Sequence, residues 1–259
     1  MEKRTFYYSD PVNDDFAGTD IKTVILPPDY RYFPKTAFRR GFACFFYHVA
    51  TPFVVLLQEI VYGEKIIGRK KLKGYRKNGF YLYGNHTRVM GDAYTPTLLA
   101  FPKKAYIIAG ADAFSIKGIR RIVEDLGGIA LPLTKSGYKN FFKAMRRHDE
   151  LNHIVALYPE AHIWPHYTGI RPFGPESFHY PAESGKPVFT YTVTWHKRKL
   201  LPGSRTIVYV DGPFLPDMNL PLNERKDALR DAAYEAMTER AKNSSYEKFN
   251  YVYIPKDKA

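Results

Sequence analysis

Cysteine is all but missing. Cys44 is the single one in 259 residues, so no intramolecular disulfide can form and a cysteine-rich zinc site is excluded. Nothing therefore points to an oxidising compartment. No Gly-x-Ser-x-Gly occurs, which argues against a serine nucleophile elbow, and no His-Glu-x-x-His occurs, which argues against a zinc peptidase. Finger-like Cys/His spacing, a Lys/Arg-dense tail and an aromatic ribonucleoprotein motif are absent too, so nucleic acid is not the expected partner. The polar first fifteen residues are not followed directly by an apolar run, unlike a signal peptide. Neither an internal repeat nor a long linker is visible. Negative charge is in short supply: 26 Asp and Glu face 39 Lys and Arg, a net charge of +13.

What is present describes a globular chain. Apolar residues make up 45% and charged residues 25%, near the usual values. The length suits one large α/β domain or two small ones and buries a core without a disulfide or metal staple. Aromatic side chains reach 16%, and such rings favour surfaces that are apolar on one side and wet on the other. The basic excess attracts anionic headgroups, polyanions or an acidic carrier protein. Plain solubility charge is the bland alternative.

From Gly41 to Leu57 there are 17 residues without Lys, Arg, Asp or Glu. As one helix they would measure about 25 Å, slightly short of a ~30 Å hydrocarbon core. His48 lies in the middle and Pro52 would kink or break the helix. Arg39 and Arg40 flank one end; Lys65, Arg69, Lys70, Lys71 and Lys73 follow the other. Two readings compete: a buried core helix or hairpin, and a monotopic helix pair bent at Pro52 that lies in one leaflet with basic flanks on anionic headgroups.

Beyond the basic run, β-like stretches alternate with helix-like ones. Strands are expected at 80–84, 105–109, 128–133, 154–158, 188–194 and 205–210, where β-branched and aromatic residues gather between turn residues. Helices are expected at 91–100, 116–126, 135–149 and 222–242. The fold expected is α/β, a mixed, largely parallel sheet covered by helices, with an N-terminal hydrophobic helical membrane-docking segment. Residues 1–65 form that segment and residues 66–259 a single globular unit.

Sites in such sheets gather at the carboxyl ends of strands. Two strand ends carry unusual polar residues: Gly84-Asn85-His86-Thr87-Arg88-Val89-Met90-Gly91-Asp92, and Tyr158-Pro159-Glu160-Ala161-His162. Imidazole titrates near neutrality, and a carboxylate behind it fixes the tautomer and stabilises the imidazolium. His86 and Asp92 have the residue types for a general base and its orienter, with a substrate hydroxyl as nucleophile. A satisfied structural histidine is the alternative. Glu160, His162 and His166 contain metal-ligating types, but Pro165 breaks the helix that would align the two histidines, so no metal is expected. Trp164 and Tyr167 suit an acyl channel or core packing equally. His148-Asp149-Glu150 and His153 read as a helix end and loop.

These blocks resemble the glycerophospholipid acyltransferase family, which contains the bacterial 1-acyl-glycerol-3-phosphate acyltransferases. The likeness runs from about Gly68 to Gly212. Asn85-His86…Asp92 resembles the family's Asn-His-x4-Asp. Lys117-Gly118-Ile119…Gly127-Gly128-Ile129 resembles its second block, Tyr158-Pro159-Glu160 its Phe-Pro-Glu-Gly-Thr-Arg, and Lys186-Pro187-Val188 its fourth. Here five residues, not four, separate His86 from Asp92, and Gly91 is expected to absorb the extra one through its backbone freedom. Ala161, His162 and Ile163 stand where the family has Gly, Thr and Arg, and the second block lacks its terminal arginine, with Leu131, Pro132 and Leu133 in its place.

The resemblance implies an O-acyltransferase that moves a fatty acyl group from acyl-CoA or acyl-carrier protein to a lysophospholipid or related glycerol phosphate. His86 and Asp92 are the expected catalytic pair. Asn85, Arg88, Lys117, Arg121, Glu160, His162 and Arg171 are the expected substrate-binding residues, with Arg171 the first choice for a phosphate and Glu160 for orienting the acceptor hydroxyl. No cofactor is expected beyond the thioester co-substrate. The expected location is the membrane surface, peripheral or monotopic, on the cytoplasmic face. Two other readings stay open: a lipid ester hydrolase using the same pair, and an inactive basic membrane-binding module.

Overall fold

The computed structural model describes residues 3–18, 23–89, 91–116, 118–199 and 202–255. Strand β1 (Thr5–Tyr8) comes first, then the long helix α1 (Ala37–Tyr62), β2 (Lys65–Ile67) and β3 (Phe80–Gly84). A short α2 (Thr95–Ala100) leads to β4 (Ala105–Ala109), α3 (Arg120–Leu126) and β5 (Gly128–Ala130). Helix α4 (Lys135–Glu150), β6 (Ile154–Leu157), α5 (His179–Ser184) and the strands β7 (Val188–Lys197) and β8 (Ser204–Phe214) follow. Helix α6 (Leu222–Ala241) and β9 (Asn250–Tyr253) complete the order.

Seven strands form one sheet in the order β2-β8-β7-β3-β6-β4-β5. Every pairing is parallel except β7 with β8. The mixed, largely parallel α/β sheet is therefore present. Its central strand is apolar throughout because both faces are covered. Tyr81 and Tyr83 of β3 pack with Phe141, Met145, Phe178 and Met237, while Phe80 and Leu82 pack with Leu99, Phe189, Val193 and Val208.

Three short strands were not visible to periodicity. β1 and β9 pair with each other in a separate parallel ribbon, Thr5 opposite Asn250, and β2 adds to the edge of the main sheet beside β8. The stretch before residue 66 thus touches the body through β1, α1 and β2. The helix expected at 91–100 is confined to Thr95–Ala100, and the one expected at 116–126 begins at Arg120.

Helix α1 differs most from expectation. It is one element of 26 residues that continues through Pro52, not a pair broken there. Thr36 caps its start, accepting from the Arg39 amide, and the body holds it along one stripe: Ala43, Tyr47, Thr51 and Gln58 are buried. The Ala105 amide donates to the Tyr47 hydroxyl at 3.2 Å, and Arg39 pairs with Asp125 in the last turn of α3 at 2.7 Å. Gln58, which donates to the Gly91 carbonyl at 2.9 Å, adds a contact beyond Pro52, so the helix is held on both sides of the proline. Its outer face is apolar and bare: Phe38, Phe45, Phe53 and Ile60 are all more than 60% exposed. The buried-core-helix reading therefore fails for this face.

Candidate active site

Strands β3 and β6 are neighbours, so the two polar strand ends meet at one edge of the sheet. Gly84 closes β3 where a Cβ would fall 2.2 Å from the Tyr191 ring, so only glycine lets that ring pack there. Asn85 follows. Its side-chain amide donates to the Val193 carbonyl at 3.0 Å and accepts from the Val193 amide at 2.8 Å. Both ends bond to β7, and the residue is buried: Asn85 ties the loop to that strand and is not open to an acceptor.

His86 then emerges. Its Nδ1 lies 2.8 Å from Oδ2 of Asp92, with the imidazole side chain 17% and the carboxylate 2% exposed. The same Oδ2 accepts the backbone amides of Thr87, at 2.9 Å, and Arg88, at 3.0 Å. Arg88 Nε donates to the other oxygen at 3.0 Å. Burial works to raise the Asp92 pKa. The His86 hydrogen bond and the Arg88 charge outweigh it and hold the carboxyl below its ordinary range. Asp92 is thus anionic at neutral pH.

The imidazole is positioned from two further sides. The Tyr158 ring stacks on it, centroids 4.3 Å apart and planes 15° from parallel, while the Tyr158 hydroxyl donates to the Asp92 carbonyl. The His86 backbone amide donates to Oε2 of Glu160 at 2.8 Å. Glu160 Oε1 accepts the Arg171 amide at 2.8 Å. Burial raises the Glu160 pKa, against the opposing pull of Arg171 and the two amides. Glu160 therefore holds the His86 backbone and is buried, not open to solvent as a residue orienting an acceptor hydroxyl was expected to be.

Both expected arginine clamps are internal. The Arg171 guanidinium is buried and donates to the carbonyls of Glu160 and His162, under the face of Trp164 at 5.0 Å. Arg88 is also buried, donating to Asp92, Glu64 and Thr95 with Tyr62 at 5.1 Å from its centre. Both guanidinium groups are buried and directed at internal acceptors, not at an open phosphate pocket, although Arg171 Nε has no hydrogen-bond partner among the described residues. His162 is half-buried, with Nδ1 3.6 Å from Asp15, and joins the site through its backbone, the amide donating to the Glu160 carbonyl and the carbonyl accepting from Arg171. Arg121 is exposed at the start of α3, and Lys117 lies outside the described residues.

Gly91 is needed for space, not for an unusual dihedral. Its φ is not positive, but an added Cβ would sit 2.9 Å from the Tyr62 ring and 3.0 Å from Arg88 Cδ. Gln58 of α1 donates to its carbonyl at 2.9 Å. The longer His-x5-Asp loop is therefore packed directly under the end of α1. Trp164 is core, bonded through Nε1 to the Asp14 carbonyl at 2.7 Å and stacked on Tyr251. His166 stacks on Trp195 at 3.7 Å between ring centroids.

Among solved structures, the chain resembles PlsC, the 1-acyl-sn-glycerophosphate (LPA) acyltransferase of Thermotoga maritima. The TM-score is 0.52 over 80% of this chain and 81% of that one, at 14% sequence identity. At that identity the likeness is one of fold. No protein-family model matches the sequence, and no curated protein sequence matches it.

Three residues of the site carried no sequence signal strong enough to single them out. Tyr158 stood in the third block without a role. Gln58 and Glu64 belong to the end of α1 and its exit, and only the packing of that helix brings them to a loop more than 20 positions away.

Proposed function

We propose that the protein is an O-acyltransferase of lysophospholipids or related glycerol phosphates, working at a membrane surface. The observation that carries this is the His86–Asp92 contact of 2.8 Å at the carboxyl end of β3, with the imidazole partly open and the carboxylate sealed. The likeness in fold to the PlsC acyltransferase supports the same reading.

In this reading His86, held at Nδ1 by Asp92, accepts the acceptor's hydroxyl proton at Nε2. The freed oxygen attacks the thioester carbonyl of acyl-CoA or acyl-carrier protein. The tetrahedral intermediate collapses with loss of the thiolate, which takes the proton back from Nε2. One ester bond forms and one thioester bond breaks; no covalent enzyme intermediate or metal is invoked. With Arg88 and Arg171 engaged internally, Arg121 and Lys117 are the remaining proposed phosphate contacts. The protein rests peripherally or monotopically on the cytoplasmic face, its α1 outer rings among the acyl chains.

The test is product analysis. Purified protein, lysophosphatidate in mixed micelles and a long-chain acyl-CoA or acyl-carrier protein should give the diacyl phosphate. Release of free fatty acid without diacyl product would favour the hydrolase, and neither product with either donor would leave a binding module.

A further inference from the structure

Arg88 poses an electrostatic problem for the catalytic pair. Asp92 supports a charged His86 only as far as its negative charge is available, yet a fully buried guanidinium lies 3.0 Å from its second oxygen. A permanent cation there would neutralise the carboxylate and oppose proton uptake by the imidazole. Glu64 answers this. It follows the end of α1, its side chain is 2% exposed, and Oε2 accepts from Arg88 Nη1. The other oxygen, Oε1, has no hydrogen-bond partner among the described residues, so much of its charge remains for the arginine.

The charge count follows. With neutral imidazole, Asp92, Arg88 and Glu64 sum to minus one; when His86 takes a proton the group becomes neutral. Without Glu64 the same step would run from neutral to plus one inside a sealed pocket, the costlier direction. Other charged and titratable groups surround this set: Glu59 and Arg69 line the cavity beside Glu64, and Tyr94 lies near Tyr62. Tyr62 faces Arg88 from α1, Tyr158 and Glu160 face His86 from the end of β6, Tyr191 lies behind on β7, and Arg171 balances Glu160.

We infer that Glu64 is a positioning residue for the base: acting through Arg88, it restores to Asp92 the negative charge that lets His86 accept a proton. This rests on the acyltransferase reading for its kinetics but not for its titration. It also ties the exit of α1 to the chemistry, since Gln58, Tyr62 and Glu64 all grip the same loop.

The experiment compares Glu64→Gln, Glu64→Asp and the charge-balanced Arg88→Met/Glu64→Gln double variant. The His86 ring is titrated by NMR in full-length protein carrying labelled histidine, alongside the rate–pH profile. Glu64→Gln should move the protonation midpoint and the acid limb of kcat/KM down by about one pH unit and lower the plateau about tenfold. Glu64→Asp should restore most of both. The double variant removes the buried guanidinium together with its Glu64 partner and keeps the net charge of minus one, with Asp92 still held by the two backbone amides and His86, so its midpoint should lie near the parent's. A folded Glu64→Gln with an unmoved midpoint, or a double variant displaced by a full unit, overturns the inference. A parent that makes no diacyl product while the midpoint still moves would sink the acyltransferase reading and leave this one standing.

Discussion

Asp92 and His86 meet through an oxygen that is already committed twice to backbone. Oδ2 takes the Thr87 and Arg88 amides as well as the imidazole, and Oδ1 takes Arg88 Nε. The carboxylate is therefore an acceptor on both sides, and an amide cannot replace it without setting a donor against a donor. Asp92→Asn should cost stability, about 1–3 kcal/mol for the orphaned groups, as well as activity. His86→Ala removes a side chain at the loop's open face. It should lower acyl transfer by about 10²–10⁴-fold while thermal unfolding stays near the parent's. Rates and unfolding curves measured on both variants check this; a His86→Ala protein with parental turnover would remove the imidazole from the mechanism.

Gly91→Ala probes the packing of the same loop. The new methyl would press on the Tyr62 ring and Arg88 Cδ, at 2.9 and 3.0 Å. Overpacking of this kind costs about 1–3 kcal/mol. Because the pressure falls on Arg88 and the end of α1, turnover should drop together with stability. Pairing it with Tyr62→Leu should recover part of both, read by thermal denaturation and by product formation. No recovery would mean that the clash is not with the ring.

How much of this the amino-acid order disclosed depends on the range of the interaction. Strands β3, β4 and β6 stood out because central parallel strands are continuous apolar runs between turn residues. His86 and Asp92 stood out because they lie six positions apart on one strand end. Edge strands β1, β2 and β9 did not, being short and half polar, with pairing set by distant partners. The arginines misled for a definite reason. A cation in a polar strand-end loop reads as a ligand clamp, but Arg88 and Arg171 are enclosed by carboxylates and carbonyls that arrive from other elements. Pro52 misled as well: its helix-breaking tendency is offset by body contacts at Tyr47 and Gln58, which no local rule supplies.

Acid should loosen the other end of the molecule. His148 and His153 face each other with Nδ1 atoms 2.9 Å apart beside Tyr106. Burial lowers their pKa values to about 3 and about 4, helped for His148 by His153 and Lys104 and for His153 by Lys103 and Lys104. Both are neutral in the folded state and take protons on unfolding once pH drops below about 6.5. The unfolded chain then binds more protons, so stability is complete above that pH and is lost as pH falls toward 4. For buried His148 alone, the loss between pH 6.5 and 5 is about 2 kcal/mol. Asp149, whose pKa burial raises to about 6, opposes part of this below pH 6. Melting temperature recorded from pH 7.5 to 4.5 should fall, and His148→Phe should flatten the slope; an unchanged slope would place the acid sensitivity elsewhere.

The outer face of α1 supplies the last prediction. Phe45 and Phe53 are 68% and 71% exposed and contribute little to folding, yet each ring would be worth about 1.5–3 kcal/mol if buried in acyl chains. Phe45→Glu/Phe53→Glu should therefore melt like the parent but leave vesicles that the parent binds, with the bound fraction in flotation down at least about tenfold. Lys35 and Arg40 are exposed at the start of α1, so binding to anionic vesicles should exceed binding to neutral ones and weaken with salt. The aromatic loss should persist at high salt, because it acts on the apolar term. Activity toward micellar lysolipid should survive in the double variant, since neither ring touches the His86 loop. Equal flotation of parent and variant would mean that this bare apolar face meets something other than lipid.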